Sequence, residues 1–297
     1  MRTAIIRWTI YLIALLIAGP AAGMLVGLVH SADGRPGSPL VSTTPILGLF
    51  AVGGALAIAF VIGLIAARLL GLAPAMTASG LVVAWAAWKT ADVDQLIRTA
   101  GSGSPLVRLA VEGAIIGMIG LAIALACWIV SRPVEDSGGT LNRRAWRWEN
   151  VDTAAERHAT AQTLRGALLP GKTALVGIGA GLLAGGVAAW LVGATPLKGQ
   201  AVFAAIAAGT FAAAAARLVD YEAQIPAMFL PVLFLAVLGP LLGLVLAGSN
   251  VVASSYKGAL FPLANISPLA WIAGGLLGIP IGVSWAGSMI EKRLQEA

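Results

Sequence analysis

Stretches of about 20 mainly apolar residues, the length a helix needs to cross a bilayer at 1.5 Å per residue, follow one another along nearly the whole chain. The pattern predicts eight spanning helices, at 8–29, 44–70, 73–88, 106–130, 173–193, 199–218, 226–247 and 263–289. The third is the weakest. Ala73 to Trp88 is only sixteen residues and would just cross untilted. Polar residues are confined to short connections and one insert, 131–171, so the pattern divides the chain into a first unit at 1–130, a linker at 131–171 and a second unit at 172–297.

The two units repeat one another. Gly19, Gly23 and Gly27 in the first span match Gly177, Gly181 and Gly185 in the fifth, the same G-x-x-x-G-x-x-x-G ladder. TPILG at Thr44–Gly48 matches TPLKG at Thr195–Gly199, AARL ends both second spans, PAM opens spans three and seven, and SPL opens spans four and eight. Five matches in one order predict a duplication: an all-α polytopic membrane protein built as two parallel four-helix repeats about an axis along the membrane normal. Glycines four apart lack a Cβ on one helical face and let another backbone come close. The ladders therefore predict close helix packing, either of spans one and five on each other or of each within its own unit.

Composition agrees with a lipid solvent. Of 297 residues 59% are hydrophobic and 11% charged, with mean hydropathy +0.90, whereas soluble domains carry about 25% charged residues. With the N-terminus inside, thirteen Lys and Arg fall on that side and six on the other, and the positive-inside bias then puts both termini in the cytoplasm and the chain in the cytoplasmic (inner) membrane. The excess of 19 basic over 13 acidic residues suits anionic lipid rather than nucleic acid.

One motif suggests a different chemistry. Gly166 to Thr173, GALLPGKT, satisfies G-x-x-x-x-G-K-[ST], but a phosphate loop needs a buried strand before the glycine turn and a soluble α/β core around it. The preceding TAAERHATAQTLRGALL reads as an interfacial amphipathic helix, with Thr153 and Glu156 spaced as a capping box. Nucleotide binding is therefore not expected. His30 and His158 are the two histidines and Cys127 the one cysteine, which leaves no set of residues for a haem, a metal cofactor or a serine–histidine nucleophile in the bilayer. No enzyme is predicted.

The remaining candidates are few. Glu112 is the charge nearest to burial and stands one turn after Arg108, an i,i+4 spacing that permits an ion pair. Pro231, Pro240 and Pro280 fall inside spans seven and eight, where each removes a backbone donor and predicts a kink or a cavity lining. In the linker, Arg144, Trp146 and Trp148 of RRAWRW suit the headgroup region or another membrane subunit. Duplicated units and proline-broken spans point to a transporter of a small or apolar solute. The alternative is a non-catalytic scaffold or accessory subunit of a larger membrane complex, favoured by the scarcity of polar groups at mid-depth. Membrane lipids are the one partner that both readings share.

Overall fold

The computed structural model describes residues 2–131, 173–195, 197–220 and 223–296. The described residues are helical nearly throughout and form no strand. The first span is α1 (Arg2–Ile13) and α2 (Gly19–Val26), joined by a π-helical turn, Ala14–Ala18. Its cause is local. The ring of Pro20 would strike the carbonyl four residues back in a regular helix, and the wider turn, closed by Gly19 N–H donating to Ala14 O, relieves that clash. After a long connection come α3 (Pro45–Leu70), α4 (Leu72–Lys89), the short α5 (Val93–Ala100) and α6 (Ser104–Ser131). The second half contains α7 (Ala174–Val192), α8 (Lys198–Val219), α9 (Ile225–Ala247), the short α10 (Val251–Tyr256) and α11 (Pro268–Glu296).

Seven helical segments are long and apolar enough to span a membrane: Thr3–Val26, Pro45–Leu70, Ser104–Ser131, Ala174–Val192, Lys198–Val219, Ile225–Tyr256 and Pro268–Ile290. The chain is on that basis an integral, multi-pass membrane protein with an all-α fold. Helix α4 is not among the seven, although it runs alongside the first span in parallel: Tyr11 bonds Thr77, Gly19 lies against Trp85 and Gly23 against Lys89. Its low hydropathy follows from its neighbours. Wrapped by α2, α3 and α11, it meets protein rather than lipid and carries Ala, Ser and Gly where lipid-facing helices carry Leu and Phe. Gly71 alone separates α3 from α4, at φ +91° and ψ −177°, a conformation open essentially to glycine.

The centre of the bundle is α11. In its span 72% of residues are buried, against 28% for α7, the most peripheral. Helix α11 packs on α8, α4, α9 and α6, and its fully buried Trp271 is the largest side chain of the core. The closest seam joins α11 to α8. A Cβ added at Gly274 would fall 2.3 Å from Ala205 backbone, at Gly278 2.3 Å from Ile206 O and at Gly282 2.1 Å from Thr210 O. This is a third G-x-x-x-G-x-x-x-G ladder, beside those at 19–27 and 177–185.

The predicted ladders behave differently. Gly177, Gly181 and Gly185 take the backbone of α8 at Ala216, Ala212 and Ala208. Gly19 and Gly23 face α4, whereas Gly27 meets only its own helix. Packing of spans one and five on each other is thus corrected: the principal neighbours of α7 are α8 and α9, those of α2 are α3 and α4, and each ladder is used inside its own half.

Candidate functional site

Glu112 sits eight residues into α6, about 12 Å along the axis at 1.5 Å per residue, with 1% of its surface exposed. Its partner is not Arg108. Ser38 Oγ donates to Oε1 at 2.6 Å and Leu40 N–H donates to Oε2 at 3.1 Å. Arg108 is exposed, lines a small cavity beside Ser31, Val41 and Thr99, and makes no ion pair with Glu112. The expected i,i+4 pair is corrected accordingly. A carboxylate facing into packed protein finds two donors on the α2–α3 connection, while the long arginine extends to the surface.

Why those donors are free is a matter of helix ends. Residues Pro39–Val41 form one 3-10 turn begun by Ser38 with proline at its first position. The first N–H groups of any helical turn lack partners within it, and Ser38 makes no cap to its own turn. Glu112 does that work from another helix. The signal lay in the sequence: GSPLV at Gly37–Val41 duplicates GSPLV at Gly103–Val107, where α6 starts, and SPL at Ser267–Leu269 starts α11, with Ser267 Oγ accepting from Ala270 N–H at 3.3 Å. Three helix starts share one motif, and only the first recruits a distant carboxylate.

The connection is folded on itself and pinned elsewhere too. Ser31 N–H donates to Arg35 O at 2.9 Å and Gly37 N–H to Val29 O at 2.8 Å, closing a small hairpin, while Ala91 N–H reaches Gly37 O at 3.1 Å from the start of the α4–α6 connection. Asp33 accepts from Ser31 Oγ, from Arg35 N–H at 3.2 Å and from Thr99 Oγ1 of α5 at 3.2 Å. The Ser31 hydroxyl, ahead of the other donors, holds the Asp33 carboxyl down at about 2.

At the same end of the bundle α5 lies on α10. Arg98 is the hub: it pairs with Asp94 at 2.6 Å, donates to Ser255 O and stacks 5.1 Å from the ring centroid of Tyr256. Burial pushes the Asp92 carboxyl up, against the opposing pull of Lys198.

The prolines have local explanations. Pro240 deprives Ala236 O of its i+4 donor, and that carbonyl lies against Gly113, where a Cβ would fall 2.4 Å away. A Cα–H of Gly113 can face the freed oxygen. Pro231 packs its ring on Gly181 of α7, and Pro280 is buried in α11. None of the three lines either of the two cavities described here. Arg144, Trp146, Trp148 and Gly166–Lys172 lie outside the described residues; Thr173 directly precedes α7. Among the described residues no three His, Cys, Asp or Glu side chains gather.

The arrangement can therefore fasten a loop, since Glu112 accepts from two donors of the α2–α3 connection. Compared with protein-family models, with curated proteins and with solved structures, the chain matches none of them.

Proposed function

We propose that this membrane protein is a duplicated, non-catalytic subunit that organises a larger membrane assembly, in preference to a solute carrier. The observation that carries the reading is the packing of its centre. Around α11 the contacts of Gly274, Gly278 and Gly282 with α8, of Gly80 with Leu276 and Leu277, and of Gly120 with Phe229 and Ile272 leave backbone against backbone or side chain. The two cavities described above open at the α5–α10 end rather than at mid-depth, where carriers hold solute.

The adjacency of the helices supports the duplication. In the first half α2 touches α3 and α4, α3 touches α4 and α6, and α4 touches α6; in the second α7 touches α8 and α9, α8 touches α9 and α11, and α9 touches α11. Between halves α4 on α11 answers α9 on α6, while α6 meets α11 and α5 meets α10. Exchanging the halves preserves these pairs, as a two-fold relation between repeats requires, although the smaller contact of α4 with α8 lacks a counterpart of the same size. In this reading α4 is an eighth span, both termini face the cytoplasm, and the 131–171 linker with Arg144, Trp146 and Trp148 grips the partner.

The test is a photo-crosslinking residue placed at Trp146 in the full chain within native membranes. A discrete adduct of fixed mass, lost on combined Arg144→Ala and Trp148→Ala, supports the subunit reading. A chain that forms no adduct, isolates alone and drives solute or proton flux in proteoliposomes overturns it.

A further inference from the structure

The larger cavity has about 550 Å³ of space and lies where the ends of α7 and α9 meet the α10–α11 connection; Trp190, Leu191, Leu246, Ala247, Leu260 and Phe261 are among its walls. Pockets that hold small ligands measure about 300–1,000 Å³. We propose that it is a binding site for a phospholipid of the surrounding bilayer, with an acyl chain in the cavity and the phosphate at Lys257. The inference goes beyond the subunit reading and rests on the cavity's own geometry.

Three observations select this occupant. The walls are continuous with the lipid-facing surface: Trp190 is 50%, Leu191 64% and Leu246 65% exposed at the ends of α7 and α9, so acyl chains adjoin the opening without crossing water. Trp190 itself stands where tryptophans mark the membrane interface. Charge is complementary as well. Lys257 is exposed at the end of α10, directly before Gly258 and Ala259 of the cavity wall, and the segments 190–198 and 244–262 contain no Asp or Glu. An anionic phosphate at headgroup level therefore meets a cation, and the segments that wall the cavity contribute no carboxylate of their own.

The third observation is the matching corner of the first half. There the α2–α3 connection meets the α4–α6 connection, and the cavity between them has only about 180 Å³, with Ser31, Ala32 and Val41 of the connection among its walls. The long connection fills that corner with the chain's own residues. Between α7 and α8 only residues 193–197 are available, and the space they leave is taken from the bilayer.

The experiment uses the full chain in nanodiscs of phosphatidylcholine and phosphatidylglycerol, with a photoactivatable group on the phosphatidylglycerol acyl chain. Labelling should concentrate in 190–194 and 246–262. Ala247→Phe, which fills the cavity, should lower it about tenfold, and Ala259→Trp should do the same if the first variant fails to fold. Val176→Phe, on the exposed face at the other end of α7, should leave it unchanged. Lys257→Gln should lower capture of phosphatidylglycerol but not of a phosphatidylcholine probe, and Lys257→Arg should restore it. Labelling spread evenly over the lipid-facing helices, labelling indifferent to the cavity-filling variants, or crosslinking of a probe at Leu246 to another polypeptide instead of lipid overturns the proposal.

Discussion

The second and fourth helices of each half meet in opposite ways. In the second half α8 and α11 are in backbone contact along Gly274, Gly278 and Gly282, with Gly209 opposite Gly274. In the first half α3 and α6 carry no such seam. Pro39 packs on Gly48 of α3 while Ser38 and Leu40 bond Glu112 of α6, so the connection sits between the two helices as a wedge. The register of the SPL motifs sets Gly274, Gly278 and Gly282 opposite Val111, Ile115 and Ile119, which are 51%, 41% and 37% exposed. Residues that zip one half together are branched, lipid-facing residues in the other. A carboxylate is tolerated at 112 because the wedge supplies its donors, and the residue that the SPL motifs align with it, Gly275, lies against Phe229 and Val232 with no connection long enough to reach it.

The most severe way to break the comparison is to unzip the second half. Gly278→Leu places a side chain where a Cβ alone would lie 2.3 Å from Ile206 O. Backbone cannot retreat as a side-chain tip can, so we expect a loss of about 3 kcal/mol or more, read as a collapse of the folded fraction in detergent denaturation. Gly27→Ala, on the ladder of the first span, should be nearly neutral because Gly27 meets only its own helix.

Removing the wedge's anchor comes next. Glu112→Ala leaves Ser38 Oγ and Leu40 N–H without their acceptor, and two buried donors left unsatisfied cost about 2–3 kcal/mol. Glu112→Gln can still accept from Leu40 and turn its amide toward Ser38, so about 1 kcal/mol is expected. Hydrogen exchange should show the amides of 29–43 opening in the alanine variant while those of α8 and α11 stay protected. Equal loosening of both halves would mean that Glu112 supports the whole bundle rather than the wedge.

These two sites differ in how far the sequence reveals them. Spanning segments are legible because lipid demands long apolar runs, and α4 was the weakest of the eight because its burial by protein removes that demand. The 274–278–282 ladder has the same spacing as those at 19–27 and 177–185, and spacing alone does not say which ladder faces a backbone. Glu112 is visible as an isolated charge. Its partner is not, since Ser38 stands 74 residues away and Arg108 offers a nearer pairing that the fold does not use. The prolines suggested cavities; in the structure Pro240 turns a freed carbonyl toward Gly113, a relation between two spans that neither sequence segment contains by itself.

A smaller effect should come from the joint between halves. Arg98 holds α5 to α10 through Ser255 O and the Tyr256 ring, and its side chain is 35% exposed. Solvent and salt screen the Asp94 pair, so Arg98→Ala should cost about 1 kcal/mol. A double-mutant cycle with Tyr256→Leu separates stacking from the ion pair. Coupling indistinguishable from zero would remove the ring from the joint.

The smallest effect concerns the outer pin of the wedge, and its sign follows from the direction of the shift. Asp33 is exposed, with hydrogen bonds from Ser31, Arg35 and Thr99, and the Ser31 hydroxyl leads in lowering its carboxyl from 3.8 to about 2. A carboxyl depressed by folding favours the folded connection above its unfolded value, and that support is lost as pH falls through the folded one. The window is therefore about pH 4 down to about pH 2. Pepsin, active across it, should cut within 30–44 faster at the lower end once its own pH dependence is normalised on an unstructured peptide. Asp33→Asn keeps an oxygen to accept from Ser31 and from Arg35 N–H, replaces the one that accepts from Thr99 and removes the titrating charge, so its cleavage should be level across the window. The Glu112 anchor lies on the buried side of the same connection, and a wild type that is cut equally at pH 4 and pH 2 would show that this inner anchor alone sets how firmly the wedge is held.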